Sequence, residues 1–310
     1  MKICIVGPGA IGLLLYFHLC KKVKDLIILD KDAKRAASLK EKGISVLKES
    51  RTFTTAVNIT AEPADLKDID LFIVCVKSYD TLSAAKAIKP LCQKNAFILS
   101  LQNGLGNLEV LSEVLGEEKI LAAVTHKAST LIDEGVIRFA ADGQTMIGMK
   151  GKKLPAVVRE IRTLFNSCAI AAKLVKDLNS VIWSKLIINS AINPLSAILR
   201  LKNGDLLKTG ESRLLLQMAS AEAERIAKRK RIKLLYDDTQ TKVEAVCRAT
   251  ADNVSSMLQD VLRQRKTEID ALNGSICRMG QNLKIPTPVN FMLCELIKTI
   301  EATYPHSQSK

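Results

Sequence analysis

The 310-residue sequence has few aromatic side chains, no closely spaced cysteine pair and no long uninterrupted apolar segment. Aromatic residues make up 4% of the chain, so its cores are expected to consist mainly of Leu, Ile, Val and Ala. None of the eight cysteines forms a CxxC pair, which argues against a metal site or a disulfide framework and favours reduced thiols in the cytoplasm. No apolar run reaches the roughly 20 residues of a membrane span, so no membrane association is expected.

The N-terminal segment resembles a secretory signal at first sight, because Lys2 precedes an apolar run that ends near Cys20. However, Gly7, Gly9 and Gly12 interrupt this run, and no small-residue cleavage site follows it. We therefore expect a strand and a helix that remain in the mature protein.

The charge is strongly positive, since 46 Lys and Arg residues against 32 Asp and Glu residues give a formal net charge of +14. The basic residues are spread along the chain, and no basic run alternates with aromatic residues that could stack on bases. This distribution favours a solvated surface that attracts small anionic ligands over nucleic-acid binding.

Short apolar runs alternate with helical patterns up to about residue 175. The predicted strands are Lys2–Val6, Leu26–Leu29, Leu71–Val76, Phe97–Leu101, Ile120–Val124 and Ala171–Val175. The predicted helices are Ala10–Lys22, Ala33–Lys40, Thr81–Ile88 and Leu108–Leu115. Nearly continuous apolar strands that alternate with helices indicate a Rossmann-type, doubly wound parallel sheet, and hence an α/β fold.

Only helical periodicities follow Asn179, with breaks near Asn203-Gly204, Asp237-Asp238 and Pro286. This change of class predicts two domains. Residues 1–175 would form a dinucleotide-binding Rossmann domain, and residues 176–310 would form an all-α domain for substrate binding and catalysis. The helical domain could form a homodimer through an apolar face, although no heptad pattern marks an interface.

A glycine-rich loop, Gly7-Pro8-Gly9-Ala10-Ile11-Gly12, links the first predicted strand to the first predicted helix. The first glycine permits a tight turn, the second lets the backbone approach a pyrophosphate, and the third lets the helix pack close to the strand. The pyrophosphate would then meet the free N–H groups and the positive end of the helix. The alternative is a glycine-rich turn without a ligand.

Asp30 ends the second predicted strand, close to the usual position of a ribose ligand. A carboxylate there favours NAD, because it accepts ribose hydroxyls and repels a 2′-phosphate. Lys31, Lys34 and Arg35 follow directly and could pair with that phosphate. The two signals oppose each other, so the sequence leaves the choice between NAD and NADP open.

Lys185, Asn189 and Asn193 are spaced four residues apart within a segment rich in Ile, Leu and Ala. This spacing predicts that the three polar side chains share one face of a helix. A solvent-facing stripe and a ligand-binding stripe are both open interpretations. Buried amides need hydrogen-bond partners, which a small oxygen-rich ligand would supply.

Further along, Asn253 and Ser256 are three residues apart, which predicts that they are neighbours on a helix. Glu268 would lie about three helical turns beyond them. For Ser256 and Glu268 taken singly, the residues alone favour surface hydration or helix capping over a role in binding.

Taken together, these motifs resemble those of the ketopantoate reductase (2-dehydropantoate 2-reductase) family over nearly the whole chain. The matching motifs are the glycine loop, Val76-Lys77, Gln102-Asn103-Gly104-Leu105-Gly106, the block from Trp183 to Pro194, Asn203-Gly204, the run from Ser255 to Asp260, Thr267-Glu268-Ile269-Asp270, and Asn273-Gly274. Several motifs in this order are far more specific than any one of them.

The resemblance implies NADPH-dependent reduction of 2-dehydropantoate to (R)-pantoate, a step toward coenzyme A. It implies that Lys185 is the general acid. The residues that would hold the substrate are Asn189, Asn193, Asn203, Asn253 and Ser256. Besides the glycine loop, the residues that would contact the cofactor are Lys77, Asn103, Ala128 and Glu268. Of these, Glu268 would lie near the nicotinamide ribose, and it is also a candidate to orient Lys185. Asp30 departs from the family pattern and leaves NAD(H) open beside NADP(H).

Two alternatives compete with this interpretation. One is a reductase of another small keto acid, and the other is a non-catalytic dinucleotide-sensing protein. A sensor has no need of a proton donor in the second domain, so the Lys185 stripe favours an enzyme.

Overall fold

The computed structural model describes residues 1–92, 96–151 and 154–305, which form two compact units. The first unit contains Met1–Gln102 and Gly106–Leu178. The second contains Asn103–Leu105 and the described residues from Asn179 onwards. The last five residues of the predicted second domain, 306–310, lie outside the described residues.

Twelve strands are found in the described part of the first unit. In chain order they are β1 (Ile3–Val6), β2 (Leu26–Leu29), β3 (Ile44–Lys48), β4 (Arg51–Thr55), β5 (Ile59–Thr60), β6 (Leu71–Val74), β7 (Phe97–Ser100), β8 (Ile120–Thr125), β9 (Ala128–Asp133), β10 (Val136–Ala141), β11 (Thr145–Gly148) and β12 (Ala172–Leu174). The larger sheet has the order β12-β11-β8-β7-β6-β1-β2-β5, and its pairs are parallel except β8 with β11. The Rossmann-type fold class is confirmed, although the sheet is mixed at this one pair.

The described residues of the first unit also form five α-helices: α1 (Ala10–Leu19), α2 (Ala33–Lys42), α3 (Thr81–Ile88), α4 (Asn107–Leu115) and α5 (Ala156–Ser167). The central strands β1 and β6 are buried along their whole length, as expected when helices cover both faces of a parallel sheet. Because β1, β2, β6 and β7 run parallel, their carboxyl ends meet at one edge. The glycine loop, Asp30, Lys77 and Gln102 all follow strands at this edge.

A second sheet with the order β4-β3-β10-β9 was not expected from the sequence, nor was the helix α5. The small sheet packs on α1, which also contacts β1 and β2 of the larger sheet. The consecutive residues from Gly12 to Tyr16 on α1 are therefore all buried. Burial on several sides explains why α1 is almost continuously apolar.

The regular elements among the described residues of the second unit are all helices, as predicted. Its helices are α6 (Leu178–Leu199, which begins at the last residue of the first unit), α7 (Gly210–Arg229), α8 (Thr239–Ala249), α9 (Ser256–Leu262), α10 (Asn273–Leu283) and α11 (Pro288–Ala302), with a 3₁₀ turn at Gly204–Leu207. The predicted breaks are present. An additional irregular segment separates α9 from α10.

Helix α6 is long and apolar enough to qualify as a membrane span by length and composition. However, 72% of its most apolar window is buried inside the protein. Its interior also contains Pro194, which has no backbone N–H to donate to the carbonyl of Ser190 one turn earlier.

The side-chain amide of Asn273 on α10 provides the donor that Pro194 lacks. Its Nδ2 donates to the carbonyl oxygen of Ser190 at 2.9 Å. The same Nδ2 donates to Oδ1 of Asn290 on α11 at 3.0 Å. Both asparagines are fully buried. A side chain from another helix thus replaces the backbone donor that proline lacks.

Glu222 on α7 extends this buried network to the start of α11. Its carboxylate accepts the backbone N–H groups of Val289 and Asn290, both at 2.9 Å, and Nδ2 of Asn290 at 2.8 Å. These backbone donors belong to the first turn of a helix, where they have no intrahelical partner. The network therefore joins α6, α7, α10 and α11.

The compensation between Pro194 and Asn273 predicts a thermodynamic coupling. Asn273→Ala should lower the melting temperature of the otherwise unchanged protein, because it leaves the buried carbonyl of Ser190 unpaired, at a cost of roughly 1–3 kcal/mol. In a Pro194→Ala background a backbone N–H is restored at position 194. The loss of unfolding free energy caused by Asn273→Ala should then be smaller by about 1 kcal/mol or more. Thermal denaturation of the four proteins measures the coupling.

Asn179→Ala provides the matched control, since Asn179 is an exposed asparagine on the same helix. Its effect should be additive with Pro194→Ala. Equal costs of Asn273→Ala in both backgrounds would contradict the proposed compensation.

Candidate active site

Two of the loop glycines are required by packing within the first unit. Gly7 has φ +102°, and a Cβ there would lie 2.7 Å from Cγ1 of Val76. A Cβ on Gly12 would lie 2.1 Å from the carbonyl oxygen of Gly7. Any larger residue at either position would force the loop, or the side chain against it, to move.

Gly9 is different, because packing does not require it to be glycine. Its φ is −74°, it is exposed, and the nearest described atom to an added Cβ is the carbonyl oxygen of Cys75 at 3.9 Å. Gly9 is the N-cap of α1, and the first turn of this helix carries no acidic residue. The open N–H groups and the positive end of α1 therefore fit the pyrophosphate of a dinucleotide.

Of the other residues in the glycine loop, Pro8 is buried, and Ala10 and Ile11 are half-buried. The hydroxyl of Ser129 on β9 donates to the carbonyl oxygen of Ala10 at 2.7 Å. This bond brings Ala128, the first residue of β9, to the glycine loop. Sequence reasoning missed Ser129 because it did not predict the small sheet.

Gln102, at the end of β7, links two of the family motifs. Its Nε2 donates to the carbonyl oxygen of Val76 at 3.1 Å and to Oγ1 of Thr81 at 2.7 Å. These bonds fix the segment that carries Lys77, whose side chain is half-buried at the same sheet edge. The motifs placed both residues after sheet strands, but they did not predict that Gln102 positions Lys77.

Asp30 follows β2, but the structure does not present it as an open carboxylate. Its side chain is 1% exposed, and the guanidinium of Arg35 covers it, with Nε to Oδ2 at 2.7 Å and Nη2 to Oδ1 at 2.5 Å. The hydrogen bonds that Arg35 donates to Asp30 raise the pKa of Arg35 above its ordinary value, although burial acts in the opposite direction.

In the second unit, Lys185, Asn189 and Asn193 lie on α6, as their spacing predicts. Lys185 and Asn189 are half-buried, and Asn193 is buried. The purely solvent-facing interpretation of this stripe is therefore wrong.

Lys185 is the single charged residue of α6, and the pKa of its ammonium is perturbed. Desolvation lowers its pKa to about 8, against the nearby negative charge of Glu268, which raises it. Desolvation is the larger effect. Lys185 can therefore give up a proton near neutral pH more readily than an ordinary lysine.

Asn203 and Asn253 are brought together by the backbone. Asn203 N donates to the carbonyl oxygen of Asn253 at 3.0 Å, and Asn203 Nδ2 donates to Oγ1 of Thr250 at 2.9 Å. The buried Oδ1 of Asn203 has no hydrogen-bond partner among the described residues. A buried oxygen without a donor is rare in folded proteins, so this atom marks Asn203 as a candidate to accept a hydrogen bond from a ligand.

Two sequence predictions about this region are wrong. Asn253 lies in the loop before α9, so it is not a helical neighbour of Ser256, which begins that helix. Glu268 lies in the irregular segment after α9, not on a continuation of the helix. Ser255 at the N-cap accepts from the N–H of Leu258, which leaves the exposed Ser256 outside the cap.

Asn103 belongs to the second unit, and the two residues after it hold it near Glu268. Gly104 has φ +82°, and a Cβ there would lie 2.5 Å from the carbonyl oxygen of Ala271, to which Leu105 N donates at 2.9 Å. Ala271 in turn donates its N–H to the carbonyl oxygen of Glu268 at 3.0 Å. Asn103 is thus anchored on the turn that carries Glu268.

Comparison with known families gives two matches. The model described as "Ketopantoate reductase PanE/ApbA" matches residues 3–152, and the model described as "Ketopantoate reductase PanE/ApbA C terminal" matches residues 177–301. The two matches cover most of the chain.

Individual relatives agree over their full lengths. A 2-dehydropantoate 2-reductase of Pyrococcus abyssi is 32% identical over 97% of this chain and 98% of its own, and one of Halobacterium salinarum is 29% identical over 96% and 98%. A crystal structure of a PanE/ApbA family ketopantoate reductase from Ralstonia eutropha covers 99% of this chain and 100% of its own, with a TM-score of 0.90 and 30% identity. The same fold is found in D-mandelate dehydrogenase, whose structure was solved with NADH and anilino(oxo)acetate. It is 24% identical to this chain, with a TM-score of 0.90 over 98% of this chain and 99% of its own.

The different surroundings of the loop glycines predict different effects of alanine. Gly9→Ala should fold normally, because its Cβ makes only ordinary contacts, but should weaken dinucleotide binding at least tenfold by blocking the pyrophosphate. Gly12→Ala should lower the melting temperature because its Cβ meets a backbone oxygen. Thermal denaturation and calorimetric titration with NADP⁺ measure both effects, and unchanged affinity in Gly9→Ala would contradict the assignment of the loop.

Proposed function

This chain belongs to the ketopantoate reductase family, and on that premise we propose that it reduces 2-dehydropantoate to (R)-pantoate with NAD(P)H. Family membership makes it an oxidoreductase that acts on a ketone group. The observation that carries the residue-level proposal is Lys185, a half-buried ammonium with a pKa lowered to about 8 on a helix that has no other charged residue.

Lys185 is proposed as the general acid. A dinucleotide bound at the glycine loop would supply a hydride for the ketone carbon, and this transfer would place negative charge on the carbonyl oxygen. An ammonium at hydrogen-bond distance stabilises this charge and transfers its proton to the oxygen. Glu268 helps to keep Lys185 protonated, since its charge raises the pKa that burial lowers.

The substrate carboxylate and hydroxyl are proposed to bind to amide and hydroxyl groups of the second unit. These groups belong to Asn189, Asn193, Asn203, Asn253 and Ser256. The unpartnered buried Oδ1 of Asn203 supports this assignment most directly, because a substrate hydroxyl would satisfy it.

The cofactor is proposed to be held by the glycine loop, Lys77, Asn103, Ala128 and Glu268, with NADPH preferred over NADH. We also propose a cytoplasmic location. All eight cysteines are free thiols, five of them are buried, and burial raises the pKa of one of these, Cys247, to about 11. Such buried thiols are typical of proteins in a reducing compartment.

The decisive experiment follows NAD(P)H oxidation by absorbance, with 2-dehydropantoate as substrate and the two cofactors in parallel. Turnover that is faster with NADPH supports the proposal. Turnover with another small 2-keto acid only would shift the substrate assignment. Dinucleotide binding without turnover on any keto acid would favour a sensor.

Removing the Lys185 ammonium should abolish most of the catalysis. We expect Lys185→Met, which retains an apolar stem, to lower kcat by roughly 10²- to 10⁴-fold, the usual contribution of a general acid. Lys228→Met on α7 is the matched control, because Lys228 is an exposed lysine of the same unit. Steady-state kinetics with a normal kcat in Lys185→Met would remove this residue from the mechanism.

The pH profile gives an independent readout of the same assignment. A general acid must carry its proton, so kcat for ketone reduction should be constant below the pKa of about 8 and fall as the pH rises above it. This alkaline limb should disappear in Lys185→Met.

Asn203 should affect substrate binding more than the chemical step. We expect Asn203→Ala to raise KM for the keto acid roughly tenfold, because a charge-neutral hydrogen bond to a buried oxygen is lost. Thr250→Val is the control, since it removes the internal bond of Asn203 Nδ2 without altering Oδ1. Equal increases of KM in both variants would indicate that Asn203 acts only through the fold.

A further inference from the structure

The acidic residue at the end of β2 is already satisfied within the protein. Oδ1 of Asp30 accepts from Nη2 of Arg35 at 2.5 Å and from the backbone N–H of Asp32 at 3.2 Å. Oδ2 accepts from Nε of Arg35 at 2.7 Å. With 1% of its side chain exposed, Asp30 offers no surface to a ribose unless Arg35 moves away.

This arrangement changes the net charge that Asp30 would present to a cofactor. A free carboxylate at this position would repel the 2′-phosphate of NADPH, but a forked pair with a guanidinium has no net charge. The Asp30 carboxylate instead fixes the guanidinium in place. Since the arginine is planar and held at two nitrogens, its orientation is defined.

Arg35 retains the capacity to bind a second anion. Its side chain is 36% exposed, and its Nη1 makes no hydrogen bond to any residue in the described ranges. Arg35 lies in the first turn of α2, where the helix dipole also favours an anion.

Lys31 and Lys34 add positive charge beside Arg35. Lys31 is 67% exposed, and its Nζ lies 2.7 Å from Oδ1 of Asp80. An exposed ion pair of this kind contributes little and can be exchanged for a phosphate. Lys34 is exposed on the same turn.

We propose that Asp30 is a positioning residue that holds Arg35, and that Arg35, together with Lys31, recognises the 2′-phosphate of NADPH. The proposal rests on the proposed function, because it assumes that the glycine loop binds a nicotinamide dinucleotide. It assigns cofactor preference to Arg35 and removes Asp30 from the ribose ligands.

The first test uses the unaltered protein without keto acid. Calorimetric titration should give a Kd for NADP⁺ at least tenfold below that for NAD⁺, and binding of 2′,5′-ADP should exceed that of 5′-AMP by a similar factor. Equal or tighter binding of NAD⁺ would overturn the proposal. Since no keto acid is present, these results are independent of whether 2-dehydropantoate is the substrate.

The second test removes the pair. Arg35 alone should not be replaced, because a buried unpaired carboxylate would destabilise the fold. The double variant Asp30→Asn with Arg35→Gln should weaken NADP⁺ binding at least tenfold and leave the Kd for NAD⁺ within twofold. Lys42→Gln is the matched control, since it removes one positive charge from the last turn of the same helix.

The single variant Asp30→Asn separates the two roles of Asp30. If Asp30 positions Arg35, this variant should weaken NADP⁺ binding several-fold and leave NAD⁺ binding unchanged. If Asp30 binds the ribose, NAD⁺ binding should weaken at least tenfold while NADP⁺ binding improves, and the proposal is then wrong. If the protein binds NADP⁺ as expected but does not turn over 2-dehydropantoate, the proposed substrate is wrong. The assignment of Asp30 and Arg35 is not affected by that result.

Discussion

The carbonyl oxygen of Ser190, which Pro194 leaves without a helical donor, is the constraint on which the second unit depends. A proline in a helix interior costs about 3 kcal/mol, partly because one hydrogen bond is lost. Asn273 replaces that bond from α10. Through Asn290 and Glu222 the same network holds the first turn of α11. The part of α6 that carries Asn189 and Asn193 is thus fixed from outside the helix, so a polar stripe is kept rigid in an apolar environment.

Much of the first unit could be predicted because its central strands are short apolar runs between helices. The small sheet could not, since its strands have one polar or exposed face. All but the last residue of β4, for example, are exposed. Such strands lack the continuous apolar signal by which β1 and β6 were recognised. The missed sheet also explains the composition of α1, which is apolar on several sides because two sheets cover it.

For the site, residues on regular elements were predictable and residues on irregular segments were not. Periodicity placed Lys185, Asn189 and Asn193 on one face of α6, whereas it wrongly extended a helix through Asn253 and Glu268. The positions of those two residues depend on backbone bonds to Asn203 and Ala271, which are remote from the periodic segments. Asp30 illustrates a further limit. Sequence spacing identifies the end of a strand, but it does not tell whether a carboxylate there faces a ligand or an arginine five residues later.

The dependence of α6 on a distant amide also has a consequence for synthesis. Helix α6 is the first helix of its unit to leave the ribosome, and 83 residues separate Ser190 from Asn273. At roughly 5–20 residues per second, a nascent chain carries this apolar segment without its closing hydrogen bond for about 4 to 17 seconds. During that interval the apolar residues of α6, among them Trp183 and Ile187, lack the side chains of α10 and α11 that cover them in the folded protein.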